Sequence, residues 1–238
     1  MTTIFDKIDN EELVPVEEFL KLDEYEILKF LSQSCDEEFP FYKNLFDYCI
    51  TNKNTEDSKI LCLLGCLYEN GLGVEFSTTC EEAVKYYKMA IDKGNVNAMY
   101  YLGYMHSQMD TYDFKNDYYE AVRYLKMAIE NGHNEAMAHL GWMYEVGEGV
   151  IKNIKKAIKY YKMAVENGNI DAMNKLGKMY RSGEGVVKNF KKAIRYYKMA
   201  CEKSNYDAMI SLGYMYQYGE GVEKDRKSTR LNSSHGKL

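Results

Sequence analysis

Proline and tryptophan are nearly absent from this chain: 2 Pro and 1 Trp in 238 residues. A long all-β chain needs many turn breakers, whereas a helical array can turn on glycine alone, and 17 Gly are present. No run of about 18 apolar residues occurs, so no membrane-spanning helix is expected. Met1–Asn10 carries Asp6, Lys7 and Asp9 where a secretory signal would place a basic and then an apolar stretch, so none is read there. A net basic charge is lacking too. The formal charge is -5, which argues against wholesale phosphate binding and against a nucleic-acid partner. The six cysteines form no CxxC and no regular pairing, so the cytosol is the default expectation. Cys62 and Cys66 lie four apart on one helix face, but partners at ligand spacing are missing. Buried free thiols are the expected state, with no metal and no other cofactor.

What is present is apolar content, 46% hydrophobic with 23 Tyr, enough to bury a core and to exclude collagen-like, disordered and disulfide-knot classes. It is arranged as a repeat. Ala98–Met105, Ala136–Tyr144, Ala172–Tyr180 and Ala208–Tyr216 read AMYYLGYM, AMAHLGWMY, AMNKLGKMY and AMISLGYMY, and Ile60–Tyr68 reads ILCLLGCLY. The shared glycine falls at Gly65, Gly103, Gly141, Gly177 and Gly213, in steps of 38, 38, 36 and 36. A second block follows each of the first four: EEAVKYYKMAIDKGN, YEAVRYLKMAIENGH, KKAIKYYKMAVENGN and KKAIRYYKMACEKSN. A fixed period of this size predicts a solenoid whose units stack their apolar faces.

Each unit reads as two helices. In the first block Ala136, Leu140, Met143 and Tyr144 share a face; in the second, Ala157, Tyr160, Tyr161 and Ala164 do. The recurring mid-helix glycine costs about 1 kcal/mol against Ala, so it predicts a close helix–helix approach. The helices are joined by glycine turns such as Gly147-Glu-Gly149-Val150 and Gly183-Glu-Gly185-Val186. No strand precedes these Gly-x-Gly pairs and no GxxxxGK[ST] is present, so they are inter-helix turns and not phosphate loops. The second unit has no glycine in Met105–Asp117, which makes that turn the expected place for flexibility or a specific contact.

These residues resemble the Sel1-like repeat family, relatives of the tetratricopeptide repeat, over about Ser58 to Lys224. The units starting at Ala136 and Ala172 match best. The resemblance implies an all-α, right-handed α-solenoid of helix pairs and an adaptor that assembles other proteins. Some bacterial members carry a disulfide in every unit; the paired cysteines for that are missing here. The lysine-, asparagine- and tyrosine-rich wording is similar to members from AT-rich genomes, including large DNA viruses and protists.

Opposite the core stripe of each first helix lie the offsets -3, +1 and +4 from the shared glycine, the face expected to line a concave groove. It holds Cys62, Cys66 and Glu69; Tyr100, Tyr104 and Ser107; Ala138, Trp142 and Glu145; Asn174, Lys178 and Arg181; Ile210, Tyr214 and Gln217. These vary between units while the core stripe barely changes. An aromatic patch (Tyr100, Tyr104, Trp142, Tyr214) beside a basic one (Lys178, Arg181) predicts a protein partner, an acidic and partly apolar peptide or helix. The alternative is that the aromatics pack on the neighbouring unit. The Lys-rich second helices read as a solvated surface, because residues 58–224 carry only +2.

Residues 1–57 do not match the repeat and carry -10; two or three helices there form an acidic helical cap, or else an independent docking module. Residues 225–238 abandon the repeat alphabet. Asp225–His235, DRKSTRLNSSH, resembles the conceptual translation of a common short-read sequencing adapter and is set aside as an artefactual, disordered tail. Its consequence is an orphan first helix, Ala208–Tyr218, with a partly uncovered apolar face and the capacity to associate; otherwise a monomer is expected. No catalytic constellation is found: His106, His133 and His139 are unpaired at HExxH spacing. The expectation is a binding scaffold and not an enzyme. An activating subunit of a partner enzyme is one alternative, and a hydrolase on a repeat frame, tested at His139 and Glu145, is another.

Overall fold

A computed structural model describes Ile4, Ile8 and residues 14–33, 40–54, 56–73, 80–108 and 116–221. The tail at 225–238 and most of the glycine-free turn lie outside the described residues. Among those residues the chain forms twelve α-helices and no strand: α1 Val16–Phe19, α2 Glu24–Gln33, α3 Pro40–Thr51, α4 Ser58–Asn70, α5 Cys80–Asp92, α6 Val96–Gln108, α7 Tyr118–Glu130, α8 Asn134–Val146, α9 Ile154–Glu166, α10 Ile170–Ser182, α11 Phe190–Cys201 and α12 Tyr206–Tyr218. The fold is the expected all-α array: α4, α6, α8, α10 and α12 are the first helices of successive repeats, and α5, α7, α9 and α11 the second.

The boundaries follow from residues that repeat. Asn169 and Asn205 accept hydrogen bonds from Ala172 N and Ala208 N at 2.9 and 2.8 Å, and Asn153 and Asn189 cap α9 and α11 in the same way. The first helices α4, α8, α10 and α12 end in left-handed glycine, as at Gly183 with φ 87°. Helices of 12 or 13 residues are marginal alone, so packing must hold them.

That packing centres on the mid-helix glycine. A Cβ built on Gly65 would meet the Tyr87 ring at 2.6 Å; on Gly141, the Tyr161 ring at 2.9 Å; on Gly177, the Tyr197 ring at 2.6 Å. The second tyrosine of each YY pair therefore lies flat against the first helix, where only a hydrogen leaves it room. The preceding tyrosine stacks on the first helix one turn further along: Tyr68–Tyr86, Tyr144–Tyr160 and Tyr180–Tyr196 have centroids 5.4, 5.6 and 5.6 Å apart, within 10° of parallel. The second repeat substitutes Leu125 against Gly103.

The chain divides into two compact units, Met1–Ala136 and Met137–Leu238. In the first, the cap helices share one core with the first repeats: Phe19, Ile27, Leu28, Leu31, Tyr42 and Leu45 are buried with Leu61, Leu64, Tyr87 and Tyr101. Lys59 Nζ donates to Leu20 O and Leu22 O at 2.7 and 2.9 Å, closing the α1 turn. In the second, α9 packs on α10, α10 on α11 and α11 on α12. On α12, no described residue lies within 4 Å of a Cβ at Gly213.

One residue departs from the pattern at a cost. The fourth second helix is followed by Ser204 at φ 62°, where its counterparts are Gly94, Gly132 and Gly168 at 80°, 87° and 84°. Left-handed backbone costs an L-residue about 1–2 kcal/mol. Ser204→Gly is expected to raise stability in urea by about 1 kcal/mol. Gly177→Ala is expected to lower it by roughly 1–2 kcal/mol, because overpacking against Tyr197 exceeds the gain of about 1 kcal/mol in helix propensity.

Candidate partner-binding site

The face at offsets -3, +1 and +4 is occupied differently in the two units. In the first unit its α4 part, at Cys62 and Cys66, is covered by α2. Cys62 and Cys66 are fully buried, and the Cys66 thiol lies 3.9 Å from Leu28 O of α2. Burial, with Glu24 beside Cys62, pushes both thiols well above their usual range. Glu24 in turn accepts from Asn95 Nδ2 at 2.7 Å. All five described cysteines are free, and no cluster of three or more His, Cys, Asp or Glu among the described residues is arranged to hold a metal. Cys35 lies outside them.

Tyr100 is half-buried. Its ring stacks on His133 at 4.4 Å, and Tyr25 of α2 meets the same imidazole edge-on at 5.6 Å. Tyr104 is exposed, with its ring 6.2 Å from that of Tyr100. His133 stands where three other repeats have Asn95, Asn169 and Asn205. Its Nδ1 accepts from Ala136 N at 3.4 Å, so it caps α8 in the asparagine's place. Burial holds it down at about 4, and Glu135, 3.6 Å away, makes no ion pair with a neutral ring.

In the second unit the predicted residues separate. Glu145 is not a free ligand for a partner: it accepts from the Tyr161 hydroxyl at 2.5 Å and from Lys175 Nζ at 3.3 Å. Asn174 is buried, and its Oδ1 has no hydrogen-bond partner among the described residues. Arg181 is engaged by Glu220 at 2.7 Å. Lys178 is exposed and stands 4.0 Å from Asp207, a contact of little strength in water. Trp142 is half-buried beside His139, the rings 5.5 Å apart and edge to face; burial brings His139 down to about 4. Ile210, Tyr214 and Gln217 are exposed on α12, and Tyr214 stacks with Tyr218 at 6.4 Å. The outward set is thus Trp142, Lys178, Ile210, Tyr214 and Gln217; Glu145 and Asn174 belong to the packing between helices.

The role of the +4 residue escaped the sequence reading, although its signal was present. Glu69 and Glu145 occur in repeats whose second helix supplies Tyr87 and Tyr161, and Tyr87 donates to Glu69 at 2.6 Å. The repeat with Leu125 has Ser107 there instead. Drawn out of water, the Glu69 carboxyl is pushed up to about 7.

These features define a class: a scaffold of stacked helix pairs. The Sel1 repeat model matches residues 61–95, 96–133, 134–169, 170–205 and 207–228, and the chain belongs to that family. It is similar to the crystal structure of a Sel1 repeat protein from Oxalobacter formigenes, at 31% identity and TM-score 0.69, covering 81% of this chain and 78% of that one. It is also similar to c5321, a protective antigen of uropathogenic Escherichia coli with an SLR fold, at 26% identity and TM-score 0.70. There it covers 92% of this chain but 47% of the antigen, about half its length. PA5088, an immunity protein of Pseudomonas aeruginosa, shares the fold at 22% identity and TM-score 0.51, covering 82% of this chain and 72% of that one. No curated protein matches the chain in sequence. Sel1 repeats generally mediate protein–protein interaction and are generally non-catalytic. No described helix is long and apolar enough to cross a membrane.

The cap made by His133 is sensitive to acid. A folded value of about 4 against the usual 6.5 means that the folded state binds fewer protons between these limits. Stability is full above pH 6.5 and falls as pH drops toward 4, by about 3 kcal/mol at most from this group. His133→Asn is expected to keep the cap and make melting temperature depend less steeply on pH over that window, with His139 supplying the slope that remains. An unchanged slope would place the sensitivity elsewhere.

Proposed function

We propose that the chain is an interaction scaffold that receives a helix or peptide of a partner protein on the first-helix face of its second unit, at Trp142, Lys178, Ile210, Tyr214 and Gln217. One observation carries this reading: in the first unit the equivalent face, at Cys62 and Cys66, seats the chain's own α2. That helix, EYEILKFLSQ, is acidic at its start and apolar along Ile27, Leu28 and Leu31. It is a template for the occupant, an acidic and partly apolar helix. Trp142 and Tyr214 supply apolar anchors and Lys178 supplies the charge. Arg181 contributes only after releasing Glu220.

Activation of a partner enzyme is a special case of the same binding. A hydrolase on this frame is not favoured, because both carboxylate oxygens of Glu145 are engaged by Lys175, and one of them also by Tyr161.

The test is proximity labelling in the native host, followed by binding measurements on the partner recovered. Trp142→Ala with Tyr214→Ala is expected to weaken that partner at least tenfold, as loss of anchor residues does. The melting temperature should hold within a few degrees. Unaltered affinity in the folded double variant would refute the proposed face.

A further inference from the structure

The second helices differ in charge. Aligned on their shared alanine, α5 and α7 carry Glu82 and Glu120 where α9 and α11 carry Lys156 and Lys192. In the first two, the glutamate holds the cation three residues on: Glu82 accepts from Lys85 Nζ and Glu120 from Arg123 Nε, both at 2.9 Å. In the last two, Lys159 and Arg195 meet another lysine at that spacing. Residues 150–163 hold five lysines and no acid; residues 186–199 hold four lysines, one arginine and no acid. Among the described residues no ion pair engages any of them. Lys156 and Lys192 stand over the Tyr144 and Tyr180 rings at 5.1 and 5.2 Å. Neither α9 nor α11 has an acid in its first turn. Like charges three apart, and cations at a helix N-terminus, both work against the helix. Charge summed over residues 58–224 conceals this segregation. The turns leading into α9 and α11 change in the same two repeats. After Gly-x-Gly-Val they place Ile151 and Val187, 92% and 90% exposed, where the turns at Gly71 and Gly219 have Glu75 and Glu223. Both turns are fixed, because Asn153 N donates to Tyr144 O and Asn189 N to Tyr180 O at 2.8 Å. They are also neighbours. A Cβ on Gly185 would collide with the Ile154 side chain, so the turn that carries Val187 rests on the first residue of α9.

We propose that this rim of the second unit docks on an anionic lipid bilayer. Ile151 and Val187 enter the boundary between headgroups and acyl chains. Lys152, Lys155, Lys188 and Lys191, all exposed beside them, meet the lipid phosphates and carboxylates. Two aliphatic tips bury too little apolar area to hold the chain on a neutral bilayer, so the cations must supply the rest and the surface must be anionic. The cations further along both helices extend the positive field and orient the approach. The acids of the two turns are Glu148, half-buried, and Glu184, whose charge acts on the Tyr161 hydroxyl; they leave the rim positive. A nucleic acid would share the charge complementarity. It offers no apolar depth for two aliphatic tips, however, and its phosphates and bases are best met by forked guanidinium groups, of which these segments have one. The rim is built from second helices and their turns. It uses no residue of the Trp142–Tyr214 face and does not depend on what that face binds.

The test is flotation of the full chain with vesicles of phosphatidylcholine alone and of an equimolar mixture with phosphatidylserine. Binding is expected to the mixed vesicles only. It should weaken as salt is raised, since the screening length is about 10 Å at 0.1 M and shorter above it. Lys155→Glu with Lys191→Glu should weaken binding at least tenfold, because each cation near an anionic surface contributes about fivefold. Ile151→Ser with Val187→Ser should weaken it at least tenfold as well, through the loss of the inserted tips. Both double variants should melt no lower than the parent, since all four side chains are exposed. Absence of binding to the mixed vesicles, or binding that the serine variant leaves unchanged, would overturn the proposal. Tighter binding to a short RNA or DNA duplex than to the vesicles at equal ionic strength, lost in the glutamate variant and kept in the serine variant, would overturn it in favour of a nucleic acid.

Discussion

A tyrosine ring laid flat against a glycine is the contact on which the repeats depend. It brings two short helices closer than any side chain would permit, and neither helix is long enough to persist alone. Around it the other recurrent contacts take their places: the stacked tyrosines one turn away, a lysine over the outer ring, and in two repeats a glutamate under the hydroxyl. The tyrosine cannot be fully satisfied by apolar packing, because its hydroxyl is carried into the interior with it. Glu69 and Glu145 meet that need; burial pushes the Glu69 carboxyl up, and the hydrogen bond from Tyr87 draws it part of the way back.

The variation between repeats follows from the same contact. Where Leu125 replaces the tyrosine no hydroxyl needs a partner, and the +4 residue is Ser107. Where Arg181 takes that position it turns away to Glu220 of the following turn. A position that looks free to vary, and therefore free to recognise, is partly governed by whether a hydroxyl arrives beneath it. Trp142, Lys178 and Tyr214, at +1, and Ile210, at -3, lie off that position and are left for a partner to meet.

Much of this was legible in the amino-acid order. Period, helix pairing, glycine turns and the core stripe all rest on local spacing, and local spacing survives folding in a nearest-neighbour array. Gly141 was recognisable as a close approach because it recurs in mid-helix against its propensity. His133 was visible as a substitute for asparagine, though only the hydrogen bond from Ala136 shows it doing the asparagine's work. The burial of Cys62 and Cys66 was anticipated, but not its cause. They lie on the face assigned to partners, and α2, some 38 residues earlier in the chain, covers them. Contacts of that range leave no period in the sequence. For the same reason the pairings of Lys178 and Arg181 with Asp207 and Glu220 were beyond reach of pattern alone.

The ring-on-glycine contact also makes array length a quantised property. The helix pairs are built on closely similar internal contacts, so a whole repeat can be gained or lost without redesigning the interior of the others. A change of half a repeat strands one face. Mutation can therefore move such a chain freely between integer lengths, while a break inside a repeat leaves a surface with a fixed and recognisable appetite.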